Sequence, residues 1–115
     1  MDTLADFIER SIPTMDKKEY LYPLRSIPID DAFYFSSPVG YTGHVAFDMD
    51  QFAEMLQIVP SDSIEFHHQN GDFTTWCRKV VKDEPLAQAI EKAQNRQELI
   101  LAADTRRHEL WTALR

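Results

Sequence analysis

Two residues five positions apart, His67 and Asp72, are the side chains in this sequence best suited to chemistry. An imidazole beside a carboxylate can accept a proton or hold a metal ion. The glycine-rich run from Gly40 to Gly43, followed by His44, offers backbone N–H groups that can approach an anion closely. One hypothesis is therefore a small-ligand or metal site around His67, Asp72, Gly40, Gly43 and His44, which would make the protein a ligand carrier or an enzyme.

The glycine-rich run, and Cys77 as a further candidate for chemistry, each have a simpler structural interpretation. The run Gly40 to Gly43 lacks the lysine of a phosphate-binding P-loop and the third glycine of a dinucleotide fingerprint, so a hairpin turn explains it better. Cys77 could act as a nucleophile with His67 as its base, but it lies on an apolar helical stripe, where burial suppresses thiol reactivity. We predict that Cys77 is a packed small hydrophobe, and we assign no catalytic residue, no metal ligand and no cofactor.

The bulk composition describes an acidic protein of one domain. The chain has 115 residues, a net charge of -7 and a single cysteine. A negative surface repels phosphate backbones and anionic lipids, so we expect neither nucleic acid nor a membrane as a partner. One cysteine allows no intramolecular disulfide, and the acidic N-terminus does not resemble a targeting signal. These features predict a cytoplasmic location.

The first 28 residues predict a short helix and then an extended apolar arm. Pro13 ends the helix, and the arm from 13 to 28 contains three of the six prolines in the chain. Its side chains Tyr20, Tyr22 and Leu24 are too apolar to remain in water. They either cover the core of the same chain, which we favour, or bind another chain.

A partner-binding role follows as the favoured functional hypothesis. The sequence contains an apolar arm and lacks a convergent set of polar residues, which favours a non-enzymatic accessory or regulatory module. Its partner would be another protein or a second copy of the chain. The candidate contact residues are Tyr20, Tyr22 and Leu24 in the arm and Trp111 in the last helix, although core packing is the simpler role for Trp111.

Three segments alternate apolar and polar residues in the manner of β-strands. They are Ala32–Ser36, His44–Phe47 and Ser63–Gln69. In the third segment, this alternation places His68 on the apolar face and His67 on the opposite face, with Glu65 and Gln69. The first two segments predict a hairpin with a loop of several residues.

Helix-capping signals mark four helix starts. They are Asp48 with Gln51, Asp72, Asp83, and Asn95 with Glu98. The order of elements is then α-β-β-α-β-α-α-α. We predict an α+β domain in which a small, mostly antiparallel sheet of about three strands packs against about four to five helices, with a helical C-terminal half.

Part of this pattern resembles a known family. The run Ser63 to His67, the pair Asp72-Phe73 followed by Trp76, and Asp83 followed by Leu86-Ala87 and Ile90 resemble a prokaryotic domain of unknown function, number 5752. The resemblance extends over roughly residues 30 to 114, and Cys77 departs from it where an aliphatic residue is expected. It implies a small standalone or appended module and supplies no catalytic residues.

Overall fold

The structure, a computed structural model, describes residues 17–115 and has an α+β fold. The predicted first helix and the start of the arm at 13–16 lie outside these residues. The described part of the chain contains a two-stranded antiparallel sheet and six α-helices. It also contains two short 3-10 helices, Tyr22–Leu24 and Ile29–Asp31, and a π-helical turn, Cys77–Val81, directly after the fourth α-helix. The strands and helices are β1 (Phe33–Ser37), β2 (Gly40–Ala46), α1 (Lys17–Leu21), α2 (Met49–Ile58), α3 (Ser61–Asn70), α4 (Asp72–Trp76), α5 (Glu84–Lys92) and α6 (Arg96–Ala113).

The prediction of about three strands is wrong because the segment Ser63–Gln69 belongs to helix α3. Its buried residues Ser63, Ile64 and His67 are spaced i, i+1 and i+4, which is the spacing of one helical face. Pro60 precedes the first turn of the helix, and Gly71 ends it with a left-handed φ of 71°. These two boundary signals outweigh an alternation of only seven residues. The six α-helices also exceed the predicted four to five. Besides α3, the extra helix is α1, which lies in the arm predicted to be extended, so the prediction of an extended conformation is wrong for Lys17–Leu21.

The predicted hairpin is confirmed, but its loop is shorter than expected. β2 begins at Gly40 and not at His44, so the turn consists of Pro38 and Val39 alone. The strand register then shifts, because Ser36 pairs with Tyr41 while Phe35 pairs with His44. The two extra residues in β2 form a bulge around Gly43, whose φ of 89° suits a residue without a side chain.

Most of the predicted helix starts are confirmed by their hydrogen bonds. Asp48 Oδ1 accepts from the N–H of Gln51 at 2.7 Å, and the Gln51 side chain accepts from the N–H of Phe47 at 2.8 Å. Asp83 caps α5 and Asn95 caps α6 in the same way. Asp72 is the exception, since Gly71 occupies the N-cap of α4 and no side-chain cap forms there.

The core is one cluster between the inner face of the hairpin and the helices. Its largest fully buried side chains include Phe35, Phe52, Phe73, Met49, Leu56, Leu86, Ile90, Leu99 and Leu110. α6 packs against α1, α2 and α5. None of the helices within residues 17–115 is long and apolar enough to cross a bilayer.

The described part of the arm packs onto its own chain. Leu24 and Ile27 are members of the core cluster, and Tyr20 is half-buried against it. The N–H of Ile27 donates to the carbonyl of Phe47 at 2.6 Å. The Arg25 guanidinium donates to the carbonyls of Val80 and Val81, where the helical segment after α4 ends. The favoured prediction, that the arm covers the core of the same chain, is confirmed for these residues.

Candidate functional site

His67 and Asp72 are brought together as the sequence suggested, but the histidine is buried. His67 Nδ1 lies 2.8 Å from Asp72 Oδ2. The histidine is only 6% exposed, whereas the Asp72 side chain is 42% exposed. The prediction that His67 lies on the polar face with Glu65 and Gln69 is wrong, because α3 is a helix and turns this residue toward the core. The rings of Phe33 and Phe73 lie 4.7 and 5.5 Å from the imidazole centroid.

Both ring nitrogens of His67 are occupied. Nε2 accepts a hydrogen bond from the backbone N–H of Ser36 at 2.8 Å, so the neutral ring carries its proton on Nδ1 and donates it to Asp72. In a catalytic histidine the carboxylate contact is similar, but Nε2 faces the nucleophile or substrate. Here the backbone of β1 occupies that position. The imidazole therefore joins β1, α3 and the start of α4.

Strand β1 separates the other residues of the predicted ligand site from His67. The N–H of Ser36 points toward α3, so β2 lies on the opposite side of β1. Gly40 and Gly43 are exposed on β2, and His44 is half-buried opposite Phe35. Gly40, Gly43 and His44 therefore do not converge with His67 and Asp72. The hypothesis of a ligand at the histidine requires displacement of the Ser36 N–H.

The neighbouring histidine, His68, lies on helix α3 like His67, so neither face of the predicted strand exists. It is half-buried on α3, and its Nε2 donates to the carbonyl of Ala93 at 2.8 Å. Its predicted place on the apolar face of a strand implied a hydrogen-bonded core or edge residue, and the hydrogen bond agrees with this, although the element is a helix.

Cys77 is buried, as predicted. Its side chain is part of the core, and burial, followed by the negative charge of Asp83, raises the pKa of its thiol far above the ordinary value. The thiol therefore stays protonated and unreactive at neutral pH. Cys77 also begins a π-helical turn, Cys77–Val81, which prolongs α4.

A buried ion pair between Asp83 and Arg106 was not foreseen from the sequence. Arg106 Nε and Nη2 donate to the two carboxylate oxygens of Asp83 at 2.7 and 2.8 Å. The carboxylate side chain is 4% exposed and the guanidinium side chain 19% exposed. These hydrogen bonds raise the pKa of Arg106. Asp83 was identified only as a helix cap, and no local pattern connects it to an arginine one element further along the chain.

The outer side of the arm forms an exposed apolar surface. Leu21 is 48% and Tyr22 47% exposed, although both adjoin residues anchored in the core. The Arg25 guanidinium lies 3.9 Å from the centroid of the Tyr22 ring, which holds the ring in place. A groove of about 520 Å³ runs beside Tyr22 toward the start of α5. Its lining residues are Lys18, Glu19, Tyr22, Pro23, Lys82, Asp83, Glu84, Pro85 and Arg106.

The predicted partner-binding residues fall into three environments. Leu24 is buried, so it can contact a partner only if the arm opens. Tyr20 is half-buried against the core, while Tyr22 is exposed. Trp111 is 39% exposed, and its indole N–H lies 3.1 Å from each carboxylate oxygen of Asp50 on α2. Of the four, Tyr22 has the largest exposed fraction.

Comparisons of the chain with protein-family models, with curated proteins and with solved structures find no match. The resemblance to a domain-of-unknown-function family therefore stays a prediction. Within residues 17–115 no three side chains of histidine, cysteine, aspartate or glutamate come together as a metal site.

Proposed function

We propose that the protein is a non-enzymatic accessory module that binds another protein through the outer side of its arm. The observation that carries this proposal is the position of Leu21 and Tyr22. They remain about half exposed, while Leu24 and Ile27, a few residues further along the same arm, are buried. A short segment anchored on one side and apolar on the other presents a fixed contact surface.

The immediate surroundings of Tyr22 support this proposal. Tyrosine contributes much contact area at a low cost in conformational entropy and is common among interface hot spots. The stacked Arg25 holds the ring, so little ordering remains for a partner to impose. The adjacent groove is lined by apolar residues, among them Pro23 and Pro85, and by charged residues of both signs. A partner side chain can enter this groove while Leu21 and Tyr22 contact the surface beside it.

The test compares two double variants in the cells that make the protein. The variant Leu21→Ser with Tyr22→Ala removes the proposed surface. The matched control, Ile58→Ser with Leu101→Ser, removes two apolar residues of similar exposure, 55% and 66%, on α2 and α6. Each protein is purified gently, and the bound partner is quantified by native mass spectrometry against the wild type.

We expect the arm variant to lose at least about tenfold in partner occupancy, because truncation of a hot-spot residue costs about 2 kcal/mol or more. The control should keep its partner. Both variants should melt close to the wild type, because the changed residues lie on the surface. Equal partner loss in both variants, or full retention in the arm variant, would refute the assignment of the surface.

A further inference from the structure

The outward face of the hairpin carries a second exposed apolar surface. We call it the hairpin face and define it by Ile29, Tyr34 and Tyr41, which are 66%, 41% and 56% exposed. The Tyr34 hydroxyl donates to the carbonyl of Ile29 at 2.6 Å, and the two tyrosine rings meet edge to face with centroids 5.9 Å apart. Tyr34 is therefore held in place, and no hydrogen bond within residues 17–115 occupies the hydroxyl of Tyr41.

Each edge of the hairpin carries a feature that hinders the addition of another strand. On β1, the outward N–H of Ser36 is taken by His67. On β2, Thr42 Oγ1 donates to the carbonyl of Phe35 and accepts from the N–H of His44, which fixes the bulge. Bulges and occupied backbone groups protect an edge from pairing with another chain. A partner can therefore approach this sheet at its face more readily than along its edges.

The charge around the hairpin face has one sign. From residue 29 to residue 46 the only charged side chains are Asp30 and Asp31, and there is no lysine or arginine. Both aspartates are exposed, and neither forms an ion pair within residues 17–115. Two unpaired carboxylates beside an aromatic surface complement a cationic partner.

We propose that the hairpin face binds an extended, proline-rich segment of another protein that carries arginine or lysine. Such a segment forms a polyproline II helix in advance, so its binding loses little entropy, and its ring faces pack on rigid aromatic side chains. Its backbone carbonyls are free, and the Tyr41 hydroxyl can donate to one of them. The basic side chains pair with Asp30 and Asp31. This surface lies in different residues from those of the arm, so the inference goes beyond the proposed function.

The length of the hairpin suits this occupant. β1 has five residues, and β2 has seven of which two lie in the bulge, so the paired hairpin is roughly 17 Å long. A polyproline II helix rises about 3.1 Å per residue, so about five to six residues of it span this length.

The experiment measures the fluorescence anisotropy of labelled peptides mixed with the full chain. The probe is a short peptide of repeated Pro-Pro-Arg units. One control peptide replaces each proline with alanine and keeps the charge, and the other replaces each arginine with glutamate. The protein variants are Tyr41→Ala, Tyr22→Ala for the arm, and Leu101→Ala as an exposed control on α6.

We expect the proline-arginine peptide to bind, and both control peptides to bind at least about tenfold more weakly. Tyr41→Ala should weaken binding at least about tenfold, while Tyr22→Ala and Leu101→Ala should bind like the wild type. A circular dichroism melt of Tyr41→Ala like that of the wild type excludes unfolding as the cause, and Tyr41→Phe, which lacks only the hydroxyl, provides a milder second variant.

Three outcomes would overturn the inference. The first is equal binding of the alanine and proline peptides, which would reduce the effect to charge alone. The second is the absence of binding at peptide concentrations up to about 1 mM, where even weak recognition is detected. The third is a self-associating protein whose dimer in sedimentation velocity is lost in Tyr41→Ala, since the face would then be covered by a second copy.

Discussion

Replacement of Arg106 by leucine tests how far the buried ion pair with Asp83 stabilises the fold. The change removes two charge-assisted hydrogen bonds of 2.7 and 2.8 Å and leaves a carboxylate that is 4% exposed without its partner. Loss of one partner from a buried pair costs about 3–5 kcal/mol. The carboxylate keeps its hydrogen bond from the N–H of Leu86, and the guanidinium is partly exposed, so we expect about 3 kcal/mol.

The assay is urea unfolding monitored by tryptophan fluorescence, with two matched variants. Arg107→Leu removes a neighbouring arginine that is 41% exposed and pairs with Asp50 and Asp104 at the surface, so it should cost less than about 1 kcal/mol. The double variant of Asp83→Asn and Arg106→Leu removes the buried charge but keeps a helix cap, and it should recover at least about half of the loss. A cost for Arg106→Leu no larger than that for Arg107→Leu would refute the reasoning.

Two further predictions concern the segment between α4 and α5. The raised pKa of Cys77 keeps the thiol protonated in the folded protein, whereas in the unfolded protein the thiol ionises above about pH 8.5. The contribution of this thiol to stability is therefore complete below that pH and falls as the pH rises. The free energy of unfolding of the wild type should thus drop by about 2 kcal/mol more than that of Cys77→Ala between about pH 7 and pH 10, and parallel losses would contradict this. Lys82 has a left-handed φ of 63°, so Lys82→Gly should raise stability by about 1 kcal/mol, whereas Lys79→Gly in the preceding turn should lower it by a similar amount. A destabilising Lys82→Gly in urea unfolding would show that the lysine side chain outweighs the strain.

The features that were predicted correctly are encoded over a few adjacent residues. In the capping box of Asp48 and Gln51, all hydrogen-bond partners lie within four positions of one another, so the sequence pattern alone is enough to predict the geometry. The same holds for the cap at Asn95. The hairpin also follows from local turn chemistry. The bounds of its second strand depend on the bulge at Gly43, and a single glycine is the only sign of that bulge in the sequence.

The wrong prediction for α3 shows where a short pattern fails. Seven residues fit a strand and a helix almost equally well, and the histidines contribute to either pattern. The flanking Pro60 and Gly71 carried the deciding information, because they bracket a segment of helical length. Because the segment is a helix and not a strand, His67 is buried in the core and does not lie at the surface.

The contacts that define the candidate sites depend on distant parts of the chain. His67 Nε2 accepts its hydrogen bond from the Ser36 N–H, and Asp83 pairs with the Arg106 guanidinium. In both cases only the tertiary fold brings the two elements together. The aromatic pair of the hairpin face depends equally on the register of two strands. Residue types suggested that His67 and Asp72 could belong to one site, but not that a backbone group would take the remaining nitrogen.

The most direct test of a partner-binding module is native mass spectrometry of the wild-type protein, gently purified from its own cells without chelators. One spectrum reports the mass of any protein partner and of any retained small ligand or metal. The account predicts a stoichiometric complex with another protein, with no additional small mass on this chain. A monomer that carries a defined small mass, lost in a folded His67→Ala variant, would contradict it and would support the ligand site at His67 and Asp72.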